Sequence, residues 1–422
     1  MRFPASRLAG IISVILWAAF PAPAPGESWA RSIGTANGDA AFAMTTADNG
    51  DFILAGATER IKAGTDDFFL VRLAQNGEVR WTKAYGTGGS EWADAVVRCV
   101  TGGFYVAGGC WQGNYHDILC LSLSATGRVR WQRRFGGDGD DLLQGAAPTS
   151  DGGCVLVGST TSFGAGEYDA WCLKLASNGS VEWQEAIGTA GSDGALSVTQ
   201  TADGGYLVAG WQALGLWLAR LDPSGHLLWE TAYHGIGSGA AIRLTSDGGC
   251  VVLAGGLLRL DSSGNVLWAK LLKDPIFPIG ASAMVMTPDE GMAACVQYPT
   301  YYHQPGWSHY CAFDKTGAIK FQGNFGKYLG AVGLASDGGC VFAGYRDIVG
   351  RSEDMSVLRL EPDGQFEGGC SHIGPGRMFV EDCTVTATPV TSVVTTTTVQ
   401  GVATKLRSST PEVRIKPVCA AR

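Results

Sequence analysis

Between residues 40 and 366, short runs of alternating apolar and polar positions are separated by turns that contain glycine. The unit from Gly136 to Trp183 shows this pattern in full, with four runs: LLQGAAPT, GCVLVGST, DAWCLKLA and SVEWQEAIG. Alternation with a period of two residues is typical of half-buried β-strands, and the DGG and SNG turns supply the positive φ angles that tight hairpins require. The pattern therefore predicts antiparallel strands with little or no helix.

The same unit returns several times. Its second run is introduced by one phrase: TSDGGCVLVG at 149–158, TADGGYLVAG at 201–210, TSDGGCVVLAG at 245–255 and ASDGGCVFAG at 335–344. Each unit closes with an aromatic residue, in the order Trp29, Trp81, Trp131, Trp183, Trp229, Trp268 and Phe321. From Trp81 onward these residues recur at intervals of 39 to 53 residues, a period typical of propellers and other repeat arrays.

Residues from about 40 to 366 contain seven such units of four strands. A single four-stranded sheet leaves both faces exposed, whereas seven sheets arranged radially bury each face against a neighbour. We therefore predict an all-β fold, a β-propeller of seven four-stranded blades in residues 29–366. An eight-bladed ring, completed by strands of the tail, is the alternative. The turn Asp151-Gly152-Gly153 and the tryptophans are interpreted as structural blade residues, the tryptophans packing between sheets: Trp81, Trp131, Trp183, Trp229 and Trp268.

Three sequence features together carry a resemblance to a known group. They are the strand ends at Trp81–Gly86 and Trp131–Gly137, the DGGxxxxG hairpin, and the closing hairpin LxxDxxGxxxW. Over about four-fifths of the chain the unit resembles the repeats of seven-bladed β-propellers in exported bacterial and archaeal proteins. The resemblance implies a propeller fold and a location outside the cytoplasm, and it specifies no reaction.

The closing hairpin LDPSGHLLW is also similar to the hairpins that dock neighbouring blades in quinoprotein propellers. In quinoproteins the Asp-to-Gly spacing is usually one residue longer than Asp222 to Gly225, and the adjacent cysteine pair of the quinone-binding enzymes is absent here. Because of these differences, a quinoprotein-like redox enzyme is only the alternative function, together with a hydrolase that has its site on one propeller face.

The two ends of the chain differ from the repeats. Residues 1–28 have the basic start, short apolar run and Pro/Ala-rich end of a secretory signal peptide. An additional closing strand is predicted at Trp29–Gly34, before the first complete unit. It is expected to replace or flank the incomplete closing strand of the last blade and so join the two ends of the repeat region. Residues 367–422 are rich in Thr and Val, and we expect a β-rich extension packed on the propeller, with a secretion or anchoring role as the alternative.

Charge and hydropathy narrow the possible partners. The 422-residue chain has a net charge of −8 and no cluster of Lys and Arg, which argues against nucleic-acid binding. After the leader, no segment is long and apolar enough to span a membrane. We expect an exported monomer in the periplasm, on the cell surface or outside the cell, with an unknown protein or glycan partner.

Cysteine positions and acidic residues give little sign of cofactor chemistry. Five of the 12 cysteines occupy apolar positions of the repeat and are expected to be buried and unpaired: Cys120, Cys154, Cys172, Cys250 and Cys340. One disulfide is expected among Cys370, Cys383 and Cys419, which lie outside the repeats. The run GGDGDD at 136–141 lacks the spacing of a calcium loop, and Glu91, Asp141 and Asp193 recur as a requirement of the turn. No metal, cofactor or catalytic residue is expected.

Variable loops on one face of the ring are the candidate binding surface. The two tight hairpins of each blade lie on the opposite face, and varied loops on a rigid scaffold commonly carry binding. Aromatic residues with polar edges concentrate in a loop at 297–310 and at two other blades: Tyr298, Tyr301, Tyr302, His303, Trp307, His309, Trp111 and Trp211. We expect a non-catalytic binding or structural module that recognises a glycan or a protein. The other interpretation is that the long loop buries its aromatic residues as a cap.

Overall fold

The computed structural model describes residues 26–35, 37–59, 65–212, 215–238, 241–274, 280–297, 308–325, 328–346, 354–366, 373–375, 378–390, 393–396, 407–409 and 414–417. These residues form thirty-four β-strands, numbered β1 to β34 in chain order, and contain no helix. The prediction of an all-β chain is confirmed. No helix within the described residues is long and apolar enough to cross a membrane.

The ring consists of seven antiparallel sheets, and each sheet contributes four strands to it. In six of the sheets these four strands are consecutive along the chain. The first strand of each blade lies innermost, because the innermost strands of neighbouring blades contact one another around the whole ring. The first three blades comprise β2 (Asp39–Thr46), β3 (Phe52–Glu59), β4 (Asp66–Leu73) and β5 (Val79–Gly86); β6 (Glu91–Arg98), β7 (Phe104–Gln112), β8 (Tyr115–Leu123) and β9 (Val129–Phe135); and β10 (Asp141–Pro148), β11 (Cys154–Thr160), β12 (Asp169–Leu175) and β13 (Val181–Gly188).

The next three blades follow the same order. They comprise β14 (Gly194–Gln200), β15 (Tyr206–Gln212), β16 (Gly215–Leu221) and β17 (Leu227–His234); β18 (Ala241–Leu244), β19 (Cys250–Leu253), β20 (Gly256–Leu260) and β21 (Val266–Lys273); and β22 (Gly280–Met286), β23 (Met292–Gln297), β24 (Ser308–Phe313) and β25 (Ile319–Phe325).

Blade 7 joins the two ends of the repeat region. It contains β26 (Tyr328–Leu334), β27 (Cys340–Arg346) and β28 (Asp354–Arg359), and its fourth strand is β1 (Trp29–Gly34). β1 pairs antiparallel with β28, with Trp29 opposite Arg359 and Ile33 opposite Met355. The first strand of the chain therefore replaces the worn repeat strand of the last blade, as the sequence predicted, and closes a ring of seven blades.

The aromatic residue at the end of the repeat connects one blade to the next at six of the seven junctions. The Trp131 ring lies against Gly179 in the outer hairpin of the following blade, and its indole N–H donates to the Ser177 carbonyl at 2.7 Å. Equivalent aromatic–glycine contacts occur at five more junctions, in the pairs Trp29–Gly77, Trp183–Gly225, Trp229–Gly264, Trp268–Gly317 and Phe321–Gly364. A side chain on these glycines would overlap the ring, so the aromatic residue and the turn glycine form one packing unit.

The junction from blade 1 to blade 2 differs. Gly127, in the hairpin of blade 2, lies against the side chains of Lys83 and Tyr85, and the Tyr85 hydroxyl donates to the Gly127 carbonyl at 2.6 Å. The indole N–H of Trp81 is buried and has no hydrogen-bond acceptor among the described residues. Trp81 therefore keeps the position of the repeat without the hydrogen bond that Trp131 makes.

The repeated phrase TSDGG, or a close variant of it, forms the inner hairpin of four blades. In blade 3, Asp151 accepts hydrogen bonds from the Thr149 hydroxyl at 2.5 Å and from the Gly153 N–H at 2.9 Å, and it pairs with Lys174 at 2.8 Å. Gly152 has a φ of +88°, and a Cβ on Gly153 would strike the Leu175 carbonyl. One glycine supplies the left-handed conformation and the other supplies space.

The tail forms a belt around the outside of the ring. Its six described strands each add a fifth, antiparallel strand to the outer edge of one blade. In chain order, blades 6, 5, 4, 3, 1 and 7 receive β29 (Ile373–Pro375), β30 (Phe379–Asp382), β31 (Thr386–Pro389), β32 (Val393–Thr396), β33 (Arg407–Ser409) and β34 (Arg414–Pro417). The belt runs around the ring in the direction opposite to the blade order. From β30 onward, the first residues of successive belt strands are separated by seven residues or by a multiple of seven. The predicted β-rich extension is confirmed, and the eight-bladed alternative is wrong because these strands extend existing blades.

Candidate functional site

A cavity of about 590 Å³ opens at the centre of the ring. It lies among the innermost strands, on the face that carries the loops between second and third strands and the crossovers between blades; we call this the loop face. Its lining consists of Phe42, Ala57, Asp66, Trp92, Asp94, Gln144, Leu196, Ala281, Ser282, Gln297, Tyr328 and Gly330. A volume of about 300 to 1,000 Å³ is usual for small-molecule sites.

Half of the lining comes from one recurring irregularity. The innermost strands of six blades each contain a β-bulge, at which one residue has no partner on the second strand. The bulged residues are Phe42, Asp94, Gln144, Leu196, Ser282 and Gly330, and all six line the cavity. A bulge redirects the side chain of the extra residue. The repeat therefore presents one residue from each of these six blades to the ring centre, and that residue varies between blades.

The last glycine of the repeated phrase makes room for the bulge. A Cβ on Gly158 would collide with the Leu142 carbonyl, and a Cβ on Gly108 would collide with the Trp92 carbonyl. Both glycines lie on the second strand, opposite the bulge. The glycine at the end of DGGxxxxG is thus the sequence signal for the cavity. Sequence reasoning used this motif for the fold and missed its consequence for the site.

Asp94 is the most perturbed acid of the cavity wall. Its side chain is half-buried at the bulge of β6. Burial raises the pKa of Asp94 to about 7, although hydrogen bonds from the Trp92 side chain and the Gly109 backbone favour the charged form. Trp92 is itself seated on Gly109, where a Cβ would overlap the indole ring. The carboxyl group is therefore held in place and changes its charge near neutral pH.

A second part of the wall, in blade 7, is built around Tyr328. Its ring stacks on Tyr345 with centroids 4.9 Å apart and meets Phe42 edge-on at 6.5 Å. Burial raises the pKa of Tyr328, and the charge of Asp94 raises it further, while a hydrogen bond with Gln297 lowers it. The Gln297 amide also donates to the Leu329 carbonyl at 3.1 Å. Tyr328, Gln297 and Asp94 thus combine an aromatic surface with fixed polar groups.

A cluster of aromatic side chains on blade 2 adjoins the cavity; we call Trp92, Trp111, Tyr115 and His116 the blade-2 cluster. His116 lies 3.8 Å from Trp111 and 5.5 Å from Trp92 between ring centroids. Its Nδ1 is 2.9 Å from Oδ1 of Asp140, which also accepts the His116 backbone N–H at 2.9 Å. Trp111 is 44% exposed and Tyr115 is 47% exposed. Because Trp92 belongs to both groups, the exposed cluster continues into the cavity.

The sequence-predicted binding residues have different positions. Trp111 lies exposed in the blade-2 cluster, whereas Trp211 is half-buried at the end of β15, against Gly194. His309 belongs to β24 and is 3% exposed, so its position does not suit direct contact with a ligand. The remaining candidates of the long loop lie outside the described residues: Tyr298, Tyr301, Tyr302, His303 and Trp307.

The recurring acidic residues stabilise the crossovers between blades. Asp141 accepts the Gly137 N–H at 2.7 Å, and Asp193 accepts the Thr189 N–H at 2.5 Å. Glu91 accepts the Thr87 N–H at 3.2 Å in the same way. These contacts agree with a requirement of the turn. Among the described residues, no group of three or more His, Cys, Asp or Glu side chains is placed to hold a metal ion.

The cysteines of the repeats are buried free thiols. Burial raises the pKa of Cys172 and of Cys250 to about 12, which keeps both thiols protonated and unreactive at neutral pH. Cys383, in the belt, is also a free thiol, and it is half-buried. Cys370 and Cys419 lie outside the described residues, so the disulfide remains a prediction.

Comparison with known proteins identifies the fold and no family. No protein-family model matches the chain, and no curated protein matches it. Among solved structures, it is similar to streptogramin B lyase, with a TM-score of 0.50 and 12% identity over 79% of this chain and 99% of that one. It is also similar to Sqt1 from Chaetomium thermophilum, with a TM-score of 0.50 and 12% identity over 84% and 89% of the two chains. At such identity the likeness shows the fold alone: the chain is a seven-bladed β-propeller.

Proposed function

We propose that the protein is an exported, non-catalytic β-propeller that binds a short glycan in its central cavity, with the blade-2 cluster as the rim of the site. The observation that carries this proposal is the composition of the cavity wall. Aromatic rings of Phe42, Trp92 and Tyr328, from three neighbouring blades, lie there together with the carboxyl groups of Asp66 and Asp94 and the amides of two glutamines from other blades. Sugars have apolar faces and hydroxyl edges, and they match walls that combine aromatic rings with hydrogen-bonding groups.

The rigidity of the wall supports the same proposal. Residues that line the cavity are held by strands of the ring and by contacts such as the Tyr328–Tyr345 stack and the Ser282 hydroxyl donating to the Leu329 carbonyl at 2.9 Å. Side chains that are fixed before binding lose little conformational entropy when a ligand arrives. Export is proposed on the N-terminal sequence alone.

The test is retention of the purified protein on a glycan array, followed by calorimetry with the best ligand. Tyr328→Phe removes a hydroxyl and keeps the stacked ring, and Trp111→Ala removes the exposed ring of the rim. Loss of one good hydrogen bond to the ligand is expected to weaken binding about tenfold. Leu228→Ala, at an apolar residue that is 59% exposed away from the loop face, is the matched control. A folded protein that binds no glycan, or whose binding is unchanged in both variants, contradicts the proposal.

A further inference from the structure

The carboxyl groups of the cavity differ from those of the inner hairpins, which form ion pairs. In the inner hairpins, Asp51 pairs with Arg72 and Asp151 pairs with Lys174, each at 2.8 Å. Asp117, below the rim, pairs with Arg134 at 3.2 Å. Asp66 and Asp94 line the cavity and form no ion pair within the described part of the chain.

The described lining contains no Lys, Arg or His side chain. The other titratable groups of the described lining are Asp66 and Tyr328, and the charge of Asp94 acts on Tyr328. His116, paired with Asp140, packs edge-on against the Trp92 ring. Burial raises the pKa of Asp66, and the neighbouring charges of Glu59 and Asp67 raise it further. A partly desolvated carboxylate without a counter-ion is unfavourable, and a cation entering the cavity relieves that cost.

The other lining groups suit an organic cation better than a metal ion. Ca²⁺ takes six to eight oxygen ligands that lie close together. The described side chains of the wall offer two carboxyl groups, two amides and one serine hydroxyl, spread over four blades, and no group of three acidic, His or Cys side chains among the described residues is placed to hold a metal ion. Aromatic rings attract ammonium groups within about 6 Å of the ring centroid. Phe42, Trp92 and Tyr328 supply three such rings to the same cavity as Asp94.

We propose that the ligand of the central cavity carries an organic ammonium group, with Asp94 and Asp66 as its counter-ions and the surrounding aromatic rings as its apolar enclosure. This inference rests on the proposed binding function and specifies the charge of the ligand. Within that function, the glycan contains an amino sugar with a free amine. Asp94 is the principal anchor because hydrogen bonds from Trp92 and Gly109 fix its carboxyl group at the bulge.

The probe is choline, compared with 3,3-dimethylbutan-1-ol, which has the same shape and no charge. Choline keeps its charge at every pH, so any pH dependence belongs to the protein. Calorimetry at pH 8 is expected to show choline binding at least about tenfold more tightly than the neutral alcohol. Asp94→Asn is expected to remove most of that difference, Asp66→Asn part of it, and Leu228→Ala none.

The affinity for choline is expected to fall as the pH is lowered from 8 to 5.5, because Asp94 then binds a proton, and Asp94→Asn is expected to abolish this dependence. Equal binding of the two probes, with glycan binding intact, overturns the inference and leaves the proposed function standing. Choline binding without any glycan ligand supports the inference and removes the glycan proposal. Failure of both ligands with a folded protein removes both.

Discussion

Replacing Asp94 by Asn is expected to stabilise the protein at pH 8 and to have a smaller effect at pH 5. Asn has the shape of the protonated carboxyl group and carries no charge. Because folding raises the pKa of Asp94 from 3.8 to about 7, the folded state holds its proton more tightly than the unfolded state does. Stability from this group is fully present below pH 4 and is lost as the pH rises through 7. Asn removes that loss.

The size of the effect follows from the same shift. About three pKa units at 1.4 kcal/mol each set a ceiling of about 4 kcal/mol at pH 8. Asp94 is only half-buried and faces an open cavity, and solvent screening reduces the expectation to about 1.5 kcal/mol. At pH 5 only about one pKa unit of the shift contributes to the stability difference. With the same reduction for solvent screening, the expected gain at pH 5 is about 0.5 kcal/mol. Urea unfolding followed by tryptophan fluorescence at both pH values measures the difference.

Asp151→Asn is the matched control with the opposite sign. Burial alone would raise the pKa of Asp151, but hydrogen bonds from Lys174, Thr149 and Gly153 outweigh it and lower the pKa to about 2. The stability from this carboxylate is present above pH 4 and is lost only as the pH falls towards 2. Asp151→Asn is therefore expected to cost about 1 kcal/mol or less, equally at pH 5 and pH 8. An Asp94→Asn gain that is equal at both pH values, or a loss at pH 8, would refute the reasoning.

Three further predictions concern the ring and its belt. Trp131→Phe is expected to cost about 1 kcal/mol because the hydrogen bond to the next blade is lost, whereas Trp81→Phe is expected to be neutral or stabilising; equal costs in urea unfolding would contradict this. Glu290 is a non-glycine residue in the left-handed region with a φ of 62°, so Glu290→Gly is expected to raise stability by about 0.5 to 1 kcal/mol in the same assay. Deletion of residues 367–422 is expected to retain the β-sheet circular dichroism signal, lower the melting temperature and promote association in light scattering, because outer strands become exposed edges. An unchanged melting temperature would indicate that the belt does not stabilise the ring.

The repeat determined most of what was predictable from the sequence. The tryptophans and the DGG turns have local physical requirements that recur in each blade, so the fold and the closing role of Trp29–Gly34 could be inferred without coordinates. The cavity could not be inferred in the same way. A bulged residue such as Asp94 is a single polar residue in a strand whose apolar and polar residues already alternate, so the sequence does not distinguish it. Its role in forming the cavity depends on the equivalent bulged residues of five other blades.

The tail was predicted only in part, for a related reason. Its Thr and Val content indicates strands, but segments as short as Val393–Thr396 have no core of their own, and their partners are distant outer strands. The spacing that places them one per blade follows the circumference of the ring. Among the loop-face aromatic residues, the sequence predicted Trp111 as a binding residue, and the structure places its side chain at the surface beside His116. The sequence gave no indication that Trp92 lines the cavity.

The pairing of the first and last described strands bears on the order in which this part of the molecule folds. β34, the last described strand, pairs with β1, the first, in blade 7. Each belt strand pairs with the outer strand of a blade, so we expect the belt to form after the blades on which it lies. Contacts of such large sequence separation form slowly, and we expect the pairing of Arg414–Pro417 with β1 to be among the last steps of folding.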